Sequence, residues 1–134
     1  LLDCGAQETK RNLWGASAQD LATYLSLPFF QRSKEEAKGI SFYDKNEFPE
    51  KYKNSLFIAL HGSWNKYNGK SGYKVIFVTL DSNGEYVYQE DFITGWLEND
   101  KDWGRPASPF IMSDGSMLIS DDKYDAIYRV KYKS

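Results

Sequence analysis

The stretch from Pro109 to Val130, PFIMSDGSMLISDDKYDAIYRV, carries the clearest structural signal in the chain. Short runs with a period of two, rich in β-branched and aromatic residues, are typical of strands with one buried face. Ser113-Asp114-Gly115 separates the first two runs, and Gly tolerates the positive φ that tight hairpin turns demand. The pattern predicts three successive antiparallel strands, over Ser108–Met112, Met117–Ser120 and Ala126–Tyr132.

The same plan occurs once before in the chain, which makes a loose internal repeat. Turn residues such as Asp81-Ser82-Asn83-Gly84 separate four earlier runs, which we predict as strands over Ile40–Tyr43, Leu56–Leu60, Tyr73–Leu80 and Tyr86–Glu90. Strands joined by successive hairpins form the blade of a β-propeller. We therefore predict an all-β fold of two antiparallel blades, the first with four strands and the second with three, connected through Phe92 to Pro106. Two blades leave open edges, so we expect either further blades or self-association.

Composition limits the classes of protein to which the chain can belong. The chain has 134 residues, of which 41% are hydrophobic and 27% charged, which is typical of a globular domain. Its formal charge is -2 and its lysines are scattered, so nucleic-acid binding is not expected. The longest apolar runs fall far short of the roughly 20 residues that a membrane span needs. Aromatic residues reach 16%, which favours strands.

The first part of the chain has a different pattern. Ser17 and Asp20 resemble a capping box, and apolar residues then recur at helical spacing until Pro28, which predicts one short helix over about 17–26. We divide the chain into an unassigned segment, residues 1–38, and a propeller portion, residues 39–134. Cys4 is the single cysteine and is interpreted as an inert thiol. The start has the look of a cut end, and no signal peptide is visible there.

Six motifs, in this order and at these spacings, carry a family resemblance. They are His61-Gly62-Ser63-Trp64-Asn65-Lys66, Gly72-Tyr73-Lys74-Val75, Asp91-Phe92-Ile93-Thr94-Gly95-Trp96-Leu97, Trp103-Gly104-Arg105-Pro106, Ser113-Asp114-Gly115-Ser116 and Ser120-Asp121-Asp122. This part of the chain resembles the C-terminal blades of the soluble glucose/sorbosone dehydrogenase family, which are quinoproteins with a six-bladed β-propeller.

The resemblance implies oxidation of a sugar or aldose, with pyrroloquinoline quinone (PQQ) as hydride acceptor and calcium supporting the cofactor. In the family the histidine that acts as general base lies in an earlier blade, so no catalytic residue is assigned in this chain. By motif position, the cofactor-binding residues implied here are His61, Trp64, Asn65, Lys66 and Arg105. The resemblance also implies an extracellular or periplasmic location.

The chemistry of two of these residues supports that assignment independently. A planar anionic quinone needs a flat apolar surface and a cationic fork, which Trp64 and Arg105 can supply. Structural roles stay open beside the functional ones. His61 is alternatively a satisfied structural histidine, Trp64 a residue packed at the rim, and Arg105 one half of a structural pair.

Other side chains give weaker signals. Asp121, Asp122 and Asp125 lack the Gly and the bidentate Glu of a calcium-binding EF-hand loop, so we interpret them as turn acids and assign no metal site. Trp96 and Trp103 suit either a sugar platform or packing between blades. Carboxylate pairs such as Asp100 and Asp102 do not support a glycosidase.

Two functions therefore follow from the sequence. In the first, the chain is part of a quinoprotein sugar dehydrogenase and contributes cofactor-cavity wall without the base. In the second, it is a non-enzymatic propeller-derived module that binds a glycan or a protein partner.

Overall fold

A computed structural model describes residues 37–63 and 69–134. These residues form strands and one short 3₁₀ helix, Glu50–Tyr52. The strands are β1 (Ala37–Tyr43), β2 (Ser55–Leu60), β3 (Lys74–Leu80), β4 (Tyr86–Ile93), β5 (Leu97–Glu98), β6 (Lys101–Asp102), β7 (Pro106–Ile111), β8 (Met117–Asp121) and β9 (Ala126–Val130). The predicted all-β class is confirmed, whereas the helix predicted over about 17–26 falls outside the described residues.

The strands form two antiparallel sheets of unequal size. One sheet has the order β1-β2-β3-β4 and the other the order β7-β8-β9, which confirms the predicted four and three strands. The predicted connection between the sheets also contains a small hairpin, β5-β6, that periodicity did not indicate because each strand has only two residues. Tyr73, predicted as the start of a strand, lies outside β3 because its φ is 55°.

The core lies between the two sheets and is largely aromatic. Phe57 on β2 is fully buried and packs against the rings of Tyr43, Phe48 and Phe92, while Met117 and Ile119 of β8 belong to the same cluster. The Tyr43 hydroxyl donates to the Gly115 carbonyl at 2.9 Å, a bond that joins the two sheets. Burial raises the pKa of Tyr43. The sheets are therefore stacked as neighbouring blades would be.

The opposite face of the first sheet is also apolar. Alternation along β2 turns Leu56, Ile58 and Leu60 away from Phe57, and they form a second buried cluster with Ile40 and Ile76. Both faces of β2 are therefore buried, as the continuous apolar run of this strand requires.

Antiparallel order brings three connections to one end of the two sheets. Their described residues are 61–63 and 69–73 after β2, 94–105 before β7, and 122–125 between β8 and β9. We call this the loop end, and it carries the candidate site. No helix within residues 37–63 and 69–134 is long and apolar enough to cross a membrane.

Candidate functional site

Arg105 joins the connection before β7 to the loop after β2. Its Nε donates to the His61 carbonyl at 3.1 Å and its Nη2 to the Gly62 carbonyl at 2.7 Å. The guanidinium also lies 5.4 Å from the centre of the Tyr73 ring, within the range of a cation–π contact. The fork geometry of arginine suits two adjacent carbonyls, so Arg105 fixes the backbone at the start of this loop.

The loop after β2 is narrow at its base. Gly62 has a φ of 105°, and a Cβ there would lie 2.4 Å from the Tyr73 ring, so the tight turn at this position requires glycine. The Tyr73 hydroxyl donates to the Ser63 carbonyl at 2.6 Å, and the Ser63 amide donates to the Ser71 carbonyl at 2.9 Å. These bonds hold the two ends of the loop together, on either side of residues 64–68.

His61 pairs with a carboxylate of the other sheet's turn. Its Nε2 lies 2.7 Å from Oδ1 of Asp122, and the imidazole is buried whereas 56% of the Asp122 side chain is exposed. Sequence reasoning grouped Asp122 with the turn acids and missed this pair, because 61 residues separate the partners. The pair joins the two sheets at the loop end beside Arg105.

Asp121, the residue before Asp122, organises the turn between β8 and β9. Its buried Oδ1 accepts hydrogen bonds from the amides of Arg105, Lys123 and Tyr124, and its Oδ2 accepts one from the Tyr128 hydroxyl. Burial alone raises the pKa of Asp121, but these hydrogen bonds outweigh it and hold the pKa below its usual value. The turn-acid interpretation is therefore confirmed for Asp121.

Asp102 is a second buried carboxylate at the loop end, with 7% of its side chain exposed. It forms an ion pair with Lys70 of the first loop and another with Lys123, whose Nζ is 2.6 Å from Oδ2. Burial raises the pKa of Asp102, whereas the hydrogen bonds from the two lysines lower it more and bring it to about 2. The Asp100 side chain also has a partner, because its Oδ1 accepts a hydrogen bond from the Lys70 amide.

Replacing Asp102 by asparagine is expected to lower the free energy of unfolding at neutral pH by about 1–2 kcal/mol. This value allows for solvent screening of the ion pairs, since both lysines are partly exposed. Because the pKa of Asp102 in the folded chain is depressed, its contribution is present above its ordinary value and is lost as pH falls through about 2. The difference between wild type and Asp102→Asn should therefore shrink between about pH 4 and pH 2. Urea denaturation at several pH values measures it.

Glu98→Gln is the matched control, since Glu98 is an exposed carboxylate on the same hairpin as Asp102. It should leave the unfolding free energy nearly unchanged at every pH. A difference for Asp102→Asn that stays constant down to pH 2 would contradict the ion-pair account.

The arginine at the loop end retains capacity for an anionic ligand. Its hydrogen bonds to His61 and Gly62 use two of the five guanidinium N–H groups, and the rest make no hydrogen bond within residues 37–63 and 69–134. Arg105 therefore fits a carboxylate of PQQ. The described part of the chain contains no group of three or more His, Cys, Asp or Glu that could hold a metal ion such as calcium.

The structure brings together two of the five predicted cofactor-binding residues, His61 and Arg105. The other three, Trp64, Asn65 and Lys66, lie outside the described residues. The two tryptophans of the connection differ in environment. Trp96 is buried and packs edge-to-face on Tyr128, in agreement with a packing role, whereas Trp103 is exposed.

Sequence and structure comparisons relate this chain to known proteins. No protein-family model matches the chain. An uncharacterized protein of Borreliella burgdorferi is 43% identical over 97 residues, which are 71% of this chain and 25% of that protein.

Two solved structures share the fold. The pyranose dehydrogenase PQQ domain of Coprinopsis cinerea superposes with a TM-score of 0.50 and 23% identity, over 69% of this chain and 27% of that domain. A Trichoderma reesei structure of Carbohydrate-Active Enzymes Family AA12 gives a TM-score of 0.53 and 18% identity, over 67% of this chain and 23% of that one. This chain spans about a quarter of the length of each of these relatives, and its matched part has the fold of the corresponding part of the pyranose dehydrogenase PQQ domain.

Proposed function

We propose that this chain is part of a quinoprotein sugar or aldose dehydrogenase-like propeller and contributes wall to the cavity that binds PQQ. The observation that supports it best is Arg105, a cation fixed at the loop end whose remaining N–H groups make no hydrogen bond within the described residues and can serve a carboxylate of the cofactor. PQQ, when bound, supplies the acceptor for the hydride of the sugar. The fold shared with a PQQ domain favours the same proposal.

Each site residue has a distinct role in this proposal. Arg105 neutralises a carboxylate of PQQ and at the same time holds the loop that precedes Trp64. The pair of His61 and Asp122 keeps the two sheets in register beneath that loop. Trp64, Asn65 and Lys66 complete the wall according to their motif positions alone. The general base and any calcium ligands belong to other blades, and the extracellular or periplasmic location stays a prediction.

Further propeller blades complete the cavity in this proposal. The outer face of the three-stranded sheet exposes Phe110 and Ile127, with 39% and 72% of their surface accessible. Exposed apolar side chains on a sheet face are typical of a surface that packs against another element. We propose that additional blades, or a second copy of the chain, cover this face.

The second candidate is a non-enzymatic module that binds a glycan or a protein partner. The pairing of charges at the loop end favours it, because Asp102 forms ion pairs with both Lys70 and Lys123, and Arg105 already donates to two carbonyls. In this case the charged groups stabilise the stacked sheets instead of recognising an anion.

PQQ titration decides between the two. In the natural polypeptide that contains this sequence, at its full length, Arg105→Ala should weaken PQQ binding by about 1.5–3 kcal/mol, as expected for a charge-assisted hydrogen bond to a partly buried anion. Arg105→Lys should lose part of that affinity, because lysine lacks the planar fork. Quenching of tryptophan fluorescence by PQQ measures the dissociation constants.

Arg129→Ala is the matched control. Arg129 pairs with Asp114 at the opposite end of the sheets, so its loss should leave PQQ affinity unchanged. Circular dichroism confirms that each variant is folded. Equal affinities for wild type and Arg105→Ala, or no PQQ binding by the wild type, would remove the quinoprotein proposal and favour the binding module.

A further inference from the structure

Two exposed aromatic side chains contact each other at the loop end. Trp103 and Tyr124 have ring centres 5.4 Å apart with an angle of 86° between the ring planes. Their exposed fractions are 42% and 62%, and in no other ring pair of the described residues are both partners exposed to this degree. Neither ring belongs to the buried clusters on the two faces of the first sheet, so the pair forms a separate apolar surface.

Hydrogen bonds hold the Trp103 ring and the backbone of Tyr124 in place. The Trp103 indole Nε1 donates to the Gly95 carbonyl at 2.7 Å, and the Trp103 amide donates to the Trp96 carbonyl at 3.0 Å. Tyr124 lies in the turn that Asp121 organises, with its backbone amide 2.8 Å from Oδ1. Rigid aromatic rings lose little conformational entropy when a ligand covers them. The Trp103 ring is thus preorganised for contact.

Hydrogen-bonding groups flank the two rings. Lys123 and Asp122 belong to the same turn as Tyr124, and both are exposed. Nζ of Lys123 donates to two oxygens of Asp102, which leaves one of its three N–H groups for a ligand. Oδ2 of Asp122 makes no hydrogen bond to any residue within the described ranges, since its Oδ1 alone contacts His61. An apolar surface beside polar groups matches a ligand that has a flat C–H face and a rim of hydroxyls.

We propose that Trp103 and Tyr124 form a carbohydrate-binding platform, for a pyranose ring with mostly equatorial hydroxyls. The axial C–H bonds of such a sugar make a flat apolar face that stacks on an aromatic ring, while its equatorial hydroxyls point outward to Lys123 and Asp122. The perpendicular rings form a corner, so one ring stacks on the sugar and the other contacts its edge. The platform requires no PQQ, and the proposal stands independently of the quinoprotein function.

Titration with cellotetraose and with glucose, with and without PQQ, tests the platform in the full-length natural polypeptide. Trp103→Ala and Tyr124→Ala should each weaken cellotetraose binding about tenfold, which corresponds to about 1.4 kcal/mol. Trp103→Phe keeps an aromatic face and should retain most of the affinity. Calorimetry gives the dissociation constants, and thermal melts confirm that the variants are folded.

Tyr132→Ala is the matched control, because Tyr132 is a tyrosine with 53% of its surface exposed near the end of the chain, outside the loop end. It should leave the affinity unchanged. The proposal is overturned if the wild type binds neither sugar, or if Trp103→Ala and Tyr124→Ala bind cellotetraose as tightly as the wild type. Sugar binding that persists without PQQ but is lost in these variants supports the platform whatever the outcome of the PQQ titration.

Discussion

Phe57→Ala is expected to lower the free energy of unfolding by about 3–5 kcal/mol, the usual range for a large aromatic side chain removed from a core. Phe57 is fully buried between the sheets, and its ring centre lies 4.6 Å from that of Phe92 in an edge-to-face contact. Truncation removes this contact and leaves a cavity that neighbouring rings fill only in part. Urea denaturation followed by circular dichroism measures the loss.

Tyr86→Ala is the control for this experiment. Tyr86 is also an aromatic residue of a strand, but it lies on the edge strand β4 with 42% of its surface exposed. We expect a loss below about 1 kcal/mol for it, as for most surface substitutions. Similar losses for the two variants would contradict a core centred between the sheets.

Asp121→Ala should cost about 3–5 kcal/mol, as do other changes that break a buried, hydrogen-bonded charge network. The substitution leaves the amides of Arg105, Lys123 and Tyr124 without their acceptor. Arg105 lies just before β7, and its side chain joins the second sheet to the loop after β2. Losing the bond to its amide therefore also loosens the link between the two sheets. Thermal melts and urea denaturation measure the effect.

Two variants make this test specific. Asp121→Asn keeps an acceptor at Oδ1 and should lose clearly less stability than Asp121→Ala, about 1–2 kcal/mol. Asp44→Ala changes an exposed carboxylate whose ion pair with Lys45 is long, 3.8 Å, and should change stability by less than about 0.5 kcal/mol. If Asp121→Asn is as damaging as Asp121→Ala, the negative charge, and not the acceptor geometry, carries the stabilisation.

The strand pattern could be predicted because it depends on local chemistry. In β2, Phe57 and Ala59 face the core between the sheets while Leu56 and Ile58 face away, and this alternation is written in the order of the residues. Turns at Gly84 and Gly115 were equally visible, since both glycines adopt the positive φ that their hairpins require. The hairpin over 97–102 was missed because two-residue strands leave no alternation to detect.

The candidate site could be predicted only in part. His61 and Arg105 were identified through motifs and lie in contact in the structure, but the partners of Asp122 and Asp102 were missed. Aspartates near glycines and other turn residues have the same local appearance whether they cap a turn, pair with a histidine or neutralise two lysines. Their roles depend on partners far away in the chain.

By itself, the sequence determined the all-β class, the strands of the two sheets and the turns between them, because backbone preferences and a period of two act among neighbouring residues. Tertiary structure alone decided which charges pair. Arg105 reaches a carbonyl 44 residues away, and His61 an aspartate 61 residues away. Such contacts arise because stacking the two sheets on their aromatic core brings three distant loops to one end, where buried polar groups such as the Asp102 and Asp121 carboxylates need partners.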